Sequence, residues 1–150
     1  MRAAASLGIA ESADAIARRG IAGRINGDAR PRMQVADNAV DLAAARGVLS
    51  RAATLIDDHR AANPASDGSG EELGALFAEA QAAKAFVNEA AARIVDRALA
   101  LSGGAGYVNG SSLARAYRDV KAGSFMHPLG ANRAYDYLGY VALGEASALH

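Results

Sequence analysis

The residue best suited to move a proton is His127, in the stretch GSFMHPLG from Gly123 to Gly130. An imidazole with an unperturbed pKa of about 6.5 exchanges protons near neutrality, so a histidine in a bent loop is a candidate general acid or base. The same position suits a polar residue at a helix start, and the residues alone leave both readings open. A second candidate is Gly103, Gly104 and Gly106, within SGGAGYVNGSS. Bare backbone lets the pyrophosphate or adenosine of a dinucleotide approach closely, and it also terminates helices. Arg118 and Asp119 form a third feature: adjacent in a short helical segment, they point to different sides of it and are read as an ion-paired structural brace. His59 and His150 have no such context and are expected to be solvated. The three histidines never fall at metal-ligand spacing and cysteine is absent, so no metal centre, disulfide or thiol nucleophile is expected.

The elements that position these residues are expected to be helices. Alanine, the best helix former, supplies roughly a quarter of the chain. Aromatics are only 5% and tryptophan is missing, which argues against a sandwich or barrel of aromatic and β-branched strands. Four Gly/Pro-rich breaks punctuate the sequence: Gly20–Pro31, Ala61–Gly70, Ser102–Ser112 and Gly123–Gly130. Between Pro31 and Arg60, Val35, Leu42, Leu49 and Ile56 recur every seven residues and form a seam. Between Glu71 and Leu101 the row is Leu73, Ala80, Val87, Ile94 and Leu101. Two helices of this length each span about 45 Å and must bury their seams against other helices. Shorter helices are expected over residues 2–19, 112–122 and 131–149. The sum is an all-α, up-and-down helical bundle of the four-helix type. Six aromatics, Tyr107, Tyr117, Phe125, Tyr135, Tyr137 and Tyr140, crowd the last third and suit either core packing or the wall of a flat cofactor.

At 150 residues the chain has the length of one domain, spanning 1–150. Sixteen basic residues balance sixteen acidic ones, which argues against a nucleic-acid partner. No run of uncharged apolar residues reaches membrane-spanning length, so no membrane association is expected and the cytoplasm is the default compartment. The long apolar seams predict a homo-oligomer, a dimer or a tetramer.

The run ALALSGGAGYVNGSSLARAYRDVKAGSFMHPLG, from Ala98 to Gly130, resembles the C-terminal helical domain of the acyl-CoA dehydrogenase superfamily. The family pattern there is Gln-x-x-Gly-Gly-x-Gly-Tyr followed by Arg-x-x-Arg-Asp-x-Lys. This chain supplies Gly103, Gly104, Gly106 and Tyr107, then Arg115, Arg118, Asp119 and Lys121. MQVADNAVDLAAAR (Met33 to Arg46) and LGIAESADAIA (Leu7 to Ala17) resemble two further helices of that domain. The resemblance implies a flavin, FAD or FMN, held largely by an N-terminal helical domain and a middle β domain that are absent from these residues. It implies that the glycine loop meets the FAD of a neighbouring subunit, and that the substrate is an acyl-CoA or another small molecule. The chain departs from the pattern at telling places. The family's Gln is Ala100, and its Arg-x-x-Phe-Gly is not recognisable in RRGIAGRINGD (Arg18 to Asp28), where only Arg24 and Arg30 offer charge. The family's catalytic Glu falls on His127, and the flavin-contacting Thr and Gln fall on Leu129 and Ala131. Three readings follow. The chain is the flavin-contacting, oligomerising part of a dehydrogenase-like oxidoreductase, as a fragment or split subunit inactive alone. Alternatively it is the same part of a reduced-flavin monooxygenase with His127 near the flavin, or a non-catalytic helical interaction module.

Overall fold

The computed structural model describes residues 3–23, 27–125 and 129–145. Helices α1 (Ala3–Ile21), α2 (Arg30–Ala62) and α3 (Gly70–Ser102) are long, and α4 (Gly104–Tyr107) is a single turn. After α5 (Ser112–Lys121) the chain tightens into a 3-10 turn over Ala122–Phe125, and α6 covers Ala131–Leu143. No strand occurs among the described residues, so the fold is all-α as expected. Two boundaries differ from expectation. The glycine break contains the extra turn α4, and α6 stops at Leu143, where Gly144 takes a left-handed φ of 72° that closes the helix.

Local chemistry sets the helix ends. Pro31 sits in the first turn of α2, where its missing N–H costs nothing. α3 opens on a capping box: Ser69 Oγ accepts the Glu72 amide at 3.2 Å while the Glu72 carboxylate accepts the Ser69 amide at 2.8 Å. Ser111 Oγ caps α5 by accepting from the Leu113 amide at 3.2 Å.

α3 is the axis of the bundle and packs against α1, α2, α5 and α6. Its Val87, Ile94 and Val95 are fully buried, and Leu113 and Val120 of α5 close over them. More than half of the buried hydrophobic residues are alanine, which lets helix axes approach near the short end of the usual range, about 8 Å. A smaller cluster joins Leu129, Ala134 and Tyr137 to Ala78 of α3, with the Phe77 and Tyr137 rings edge to face at 5.3 Å.

A polar thread runs through the crossing of α1, α2 and α3. Asp14, almost fully buried, accepts from Arg18 at 2.8 Å and from Asn38 Nδ2 at 3.0 Å. Asn38 Oδ1 in turn accepts from Arg97 at 3.2 Å, and Arg97 and Arg93 converge on Asp41 at 2.8 and 2.9 Å. Every charge in the thread is met by a partner, the condition for burying such groups without a large penalty.

The α2 seam read from the sequence is largely consumed inside the molecule, since Leu42 is buried and Leu49 packs on the core. What α2 leaves outside is a different stripe. Met33, Ala36, Val40, Ala43, Gly47, Ser50 and Thr54 follow heptad spacing, and every one is exposed and uncharged. Among the described residues no helix is long and apolar enough to cross a membrane.

Candidate functional site

His127 falls outside the described residues, as do Arg24 and His150. The structure does describe the residues that flank His127 and what holds them. Lys84 and Asn88 leave the same face of α3 one turn apart, and both are buried. Lys84 Nζ donates to the Leu129 carbonyl, and Asn88 Nδ2 donates to the Gly123 carbonyl at 3.0 Å. Gly123 lies flush against two helices: a Cβ there would come within 2.5 Å of Asn88 Oδ1 and 2.8 Å of Ser6 Oγ.

Between α3, the 3-10 turn and the start of α6 lies a cavity of about 50 Å³, lined by Lys84, Asn88, Glu89, Ser124, Leu129 and Tyr135 among others. Asn88 Oδ1 is a buried acceptor with no hydrogen-bond partner among the described residues. The Tyr135 hydroxyl donates to Glu89 at 2.5 Å. That bond, helped by partial burial, raises the Tyr135 pKa above the usual phenol value and keeps the group a donor at neutral pH. The site therefore gathers a lysine amine bonded to a backbone carbonyl, an amide oxygen and a phenol–carboxylate pair around a small cavity.

The glycine loop sits at the far end of α3. Asn88 and Gly103 are fifteen positions apart, about 22 Å along the axis at 1.5 Å per residue, so the loop and the His127 flank do not share one point. The three glycines differ in what they do. Gly103 adopts a φ of 60° and closes α3. Gly106 is buried, and a Cβ on it would meet Ser102 Cβ at 2.9 Å, so it exists for packing. Gly103 and Gly104 are both exposed with open space around them and leave backbone accessible. Beside them Tyr107 and Val108 are exposed, at 73% and 59%.

The remaining sequence candidates fall elsewhere. Arg118 and Asp119 are both exposed and form no ion pair among the described residues, because adjacent positions on α5 point to different sides. No such brace is made among the described residues, and Asp119 borders a groove between α1 and α5 beside Arg115. His59 is not freely solvated: its Nε2 bonds the Asp67 carbonyl at 2.8 Å and helps close the α2–α3 loop. Arg30 is held by Asp28 at 2.8 Å, which depresses the Asp28 pKa. Of the late aromatics only Tyr137 is buried, donating to the Gly74 carbonyl at 3.1 Å, while Phe125 is 83% exposed. Among the described residues no cluster of acids and histidines could hold a metal. Sequence reasoning missed Lys84 and Asn88. Their signal was available, since a lysine and an asparagine flank Val87 on an otherwise apolar face of AKAFVNEA.

Comparison with known proteins gives this geometry a family. The family model for the acyl-CoA dehydrogenase C-terminal domain matches residues 1–132. The amino sugar nitrososynthase DnmZ of Streptomyces peucetius is 41% identical over 139 residues, which cover 93% of this chain and 34% of DnmZ. The crystal structure of a nitrososynthase from Micromonospora carbonacea var. africana superposes with a TM-score of 0.83 at 40% identity, over 93% of this chain and 37% of that one. The structure of KijD3 in complex with FMN and dTDP-3-amino-2,3,6-trideoxy-4-keto-3-methyl-D-glucose superposes with a TM-score of 0.84 at 33% identity, over 97% of this chain and 35% of that one. The chain thus spans about a third of the length of the relatives it matches. With the family model covering most of its residues and the fold agreeing, the chain belongs to the acyl-CoA dehydrogenase C-terminal domain family.

Proposed function

We propose that this chain is the C-terminal domain of a flavin-dependent monooxygenase that oxidises the amino group of a nucleotide-linked amino sugar. The observation that carries the reading is the likeness to nitrososynthases over nearly the whole chain, combined with a histidine, His127, where the dehydrogenases place their carboxylate base. Removal of the α-proton of a thioester needs such a base. Among the described carboxylates near the site, Glu89 is already engaged by Tyr135. An acyl-CoA dehydrogenase activity is therefore the less supported of the two readings.

The residues present fit one side of a flavin site. Gly103 and Gly104 leave backbone open to a phosphate-bearing cofactor next to the exposed Tyr107 ring. The FMN in the KijD3 structure favours FMN over FAD for this chain. Bound and reduced, the flavin supplies the electrons for O₂ activation. The chain's own part is to shape the wall of the site and, through the His127 imidazole, to carry a proton to or from the substrate amine. We also assign the uncharged outer stripe of α2 to a homo-oligomer contact, since such a face is otherwise left to water.

The test is a chimera in which this chain replaces the matching third of a nitrososynthase, supplied with a flavin reductase and a dTDP-amino sugar. The expected result is the nitroso product by mass spectrometry, with turnover lowered by about 10² in His127→Ala. Oxidation of an acyl-CoA with no reaction of the amino sugar would refute the proposal.

A further inference from the structure

Gly47 stands in the middle of α2, and a Cβ on it would meet nothing within 4 Å. Glycine there weakens the helix relative to alanine, and no contact among the described residues accounts for it. Such a residue is explained where a second backbone comes close from outside. It lies on the exposed, uncharged stripe with Ala36, Val40, Ala43, Ser50 and Thr54, and Val40 is 69% exposed. We propose that this face pairs with the same face of a second copy of the chain, antiparallel, about a twofold axis between Ala43 and Gly47. The inference rests on the assignment of the stripe to a homo-oligomer contact, and it adds the direction and register of the partner helix.

Charge along one edge of the stripe supports both. Arg30, Asp37, Ala44, Arg51 and Asp58 recur every seven residues, and the four charged ones are exposed. Their signs run plus, minus, then plus, minus, with Ala44 between, so the order reverses about Ala44. In an antiparallel copy Asp37 therefore faces Arg51 and Arg30 faces Asp58, each pair made twice by symmetry. The same register sets Val40 against Ser50, Ala36 against Thr54 and Ala43 against Gly47, since each pair shares one midpoint. The smallest side chains then stand at the axis, where the helices approach to about 8 Å. Arg30 and Arg51 already bond Asp28 and Glu79 of their own chain at 2.8 and 3.2 Å, and a guanidinium with its several N–H donors serves a second carboxylate as well. The other edge carries Arg32, Arg46 and Arg60. The Arg46 side chains of the two copies meet near the axis, each already paired with Glu11 at 2.7 Å, while Arg32 and Arg60 lie at the solvated ends of the contact. A parallel pairing of the same stripe instead brings Arg46 beside Arg51.

The test uses the full 150-residue chain, which has no cysteine, so introduced cysteines report the register directly. Sedimentation at about 100 μM is expected to show a dimer or a dimer of dimers. The double variant Val40→Cys, Ser50→Cys is expected to form a covalent dimer under mild oxidation. Val40→Cys alone is not, because antiparallel copies hold their two residues 40 about 15 Å apart along the axis. Gly47→Leu yields a monomer with wild-type far-UV circular dichroism, since the single chain has room for the side chain. Asp37→Arg weakens association about tenfold at low salt and far less at high salt. A covalent dimer from Val40→Cys alone would overturn the antiparallel register and leave the stripe as the contact. Association undiminished in Gly47→Leu would overturn the stripe itself, and a monomeric wild type at about 100 μM would overturn both. None of these measurements uses turnover, so a failure of the amino-sugar reading is told apart from a failure of this one.

Discussion

Asn38 offers the sharpest test of how the three long helices are locked. It is fully buried, donates to Asp14 of α1 at 3.0 Å and accepts from Arg97 of α3 at 3.2 Å. Replacing it by Leu keeps the volume and removes both bonds. Asp14 is left with Arg18 alone, and losing one hydrogen bond to a buried carboxylate costs about 1.5–3 kcal/mol. Arg97 keeps Asp41, so its loss is smaller, about 0.5–1 kcal/mol. The added apolar burial of Leu offsets about 1 kcal/mol of this. The expected net loss is about 2 kcal/mol, read as a lowered urea midpoint by far-UV circular dichroism with an unchanged slope. Asn38→Asp sharpens the test, because it sets a second carboxylate against Asp14. The pair resists double ionisation, so the folded-state pKa of one member rises above its unfolded value. The penalty is then absent below the unfolded pKa and grows as pH climbs, so this variant is less stable at about pH 7 than at about pH 4, relative to the wild type. A loss below about 0.5 kcal/mol for Asn38→Leu, or a pH-independent Asn38→Asp, would refute the account of this thread.

Three further outcomes follow from the same structure. The bond from Arg93, with a second from Arg97, holds the Asp41 pKa below its ordinary 3.8; its stabilisation is complete above that value and fades as pH falls further, so Asp41→Asn should differ from the wild type in neutral but not in strongly acid urea titrations. Gly106→Ala should cost about 1–3 kcal/mol in thermal unfolding, since its Cβ would meet Ser102 Cβ at 2.9 Å and Leu113 at 3.3 Å. The isolated chain should purify colourless and show no saturable FMN binding by fluorescence quenching, because the open backbone at Gly103 and Gly104 supplies only part of a cofactor site.

Much of the architecture was legible because helix signals are local. Period, Pro31 and the Gly/Pro breaks located α2 and α3 to within a residue or two of their ends. The Ser69–Glu72 capping box is equally readable at that spacing. What stayed hidden depends on contacts between distant residues. The burial of Asp14 and Asn38 is decided by a crossing of helices 24 residues apart, and polar residues there look like surface until the crossing is known. Lys84 reaches a carbonyl 45 residues away, which no periodicity encodes. For the site itself, the glycine loop separated into two open glycines, one of them the helix stop, and a packing glycine only when neighbouring atoms could be placed around it.

The alanine-rich core has a consequence for how this sequence can drift. Where most interior side chains are already a single methyl, truncation has little left to remove, and a lost methyl at Ala10, Ala90 or Ala98 leaves a void smaller than a water molecule. Enlargement is the costly direction, because one added methylene must push apart helices that meet through alanine. Neutral substitution in this bundle is therefore one-sided. Inward-facing positions stay frozen at small size, and change accumulates on the outer stripe of α2 and the exposed turns, where it leaves the frame untouched.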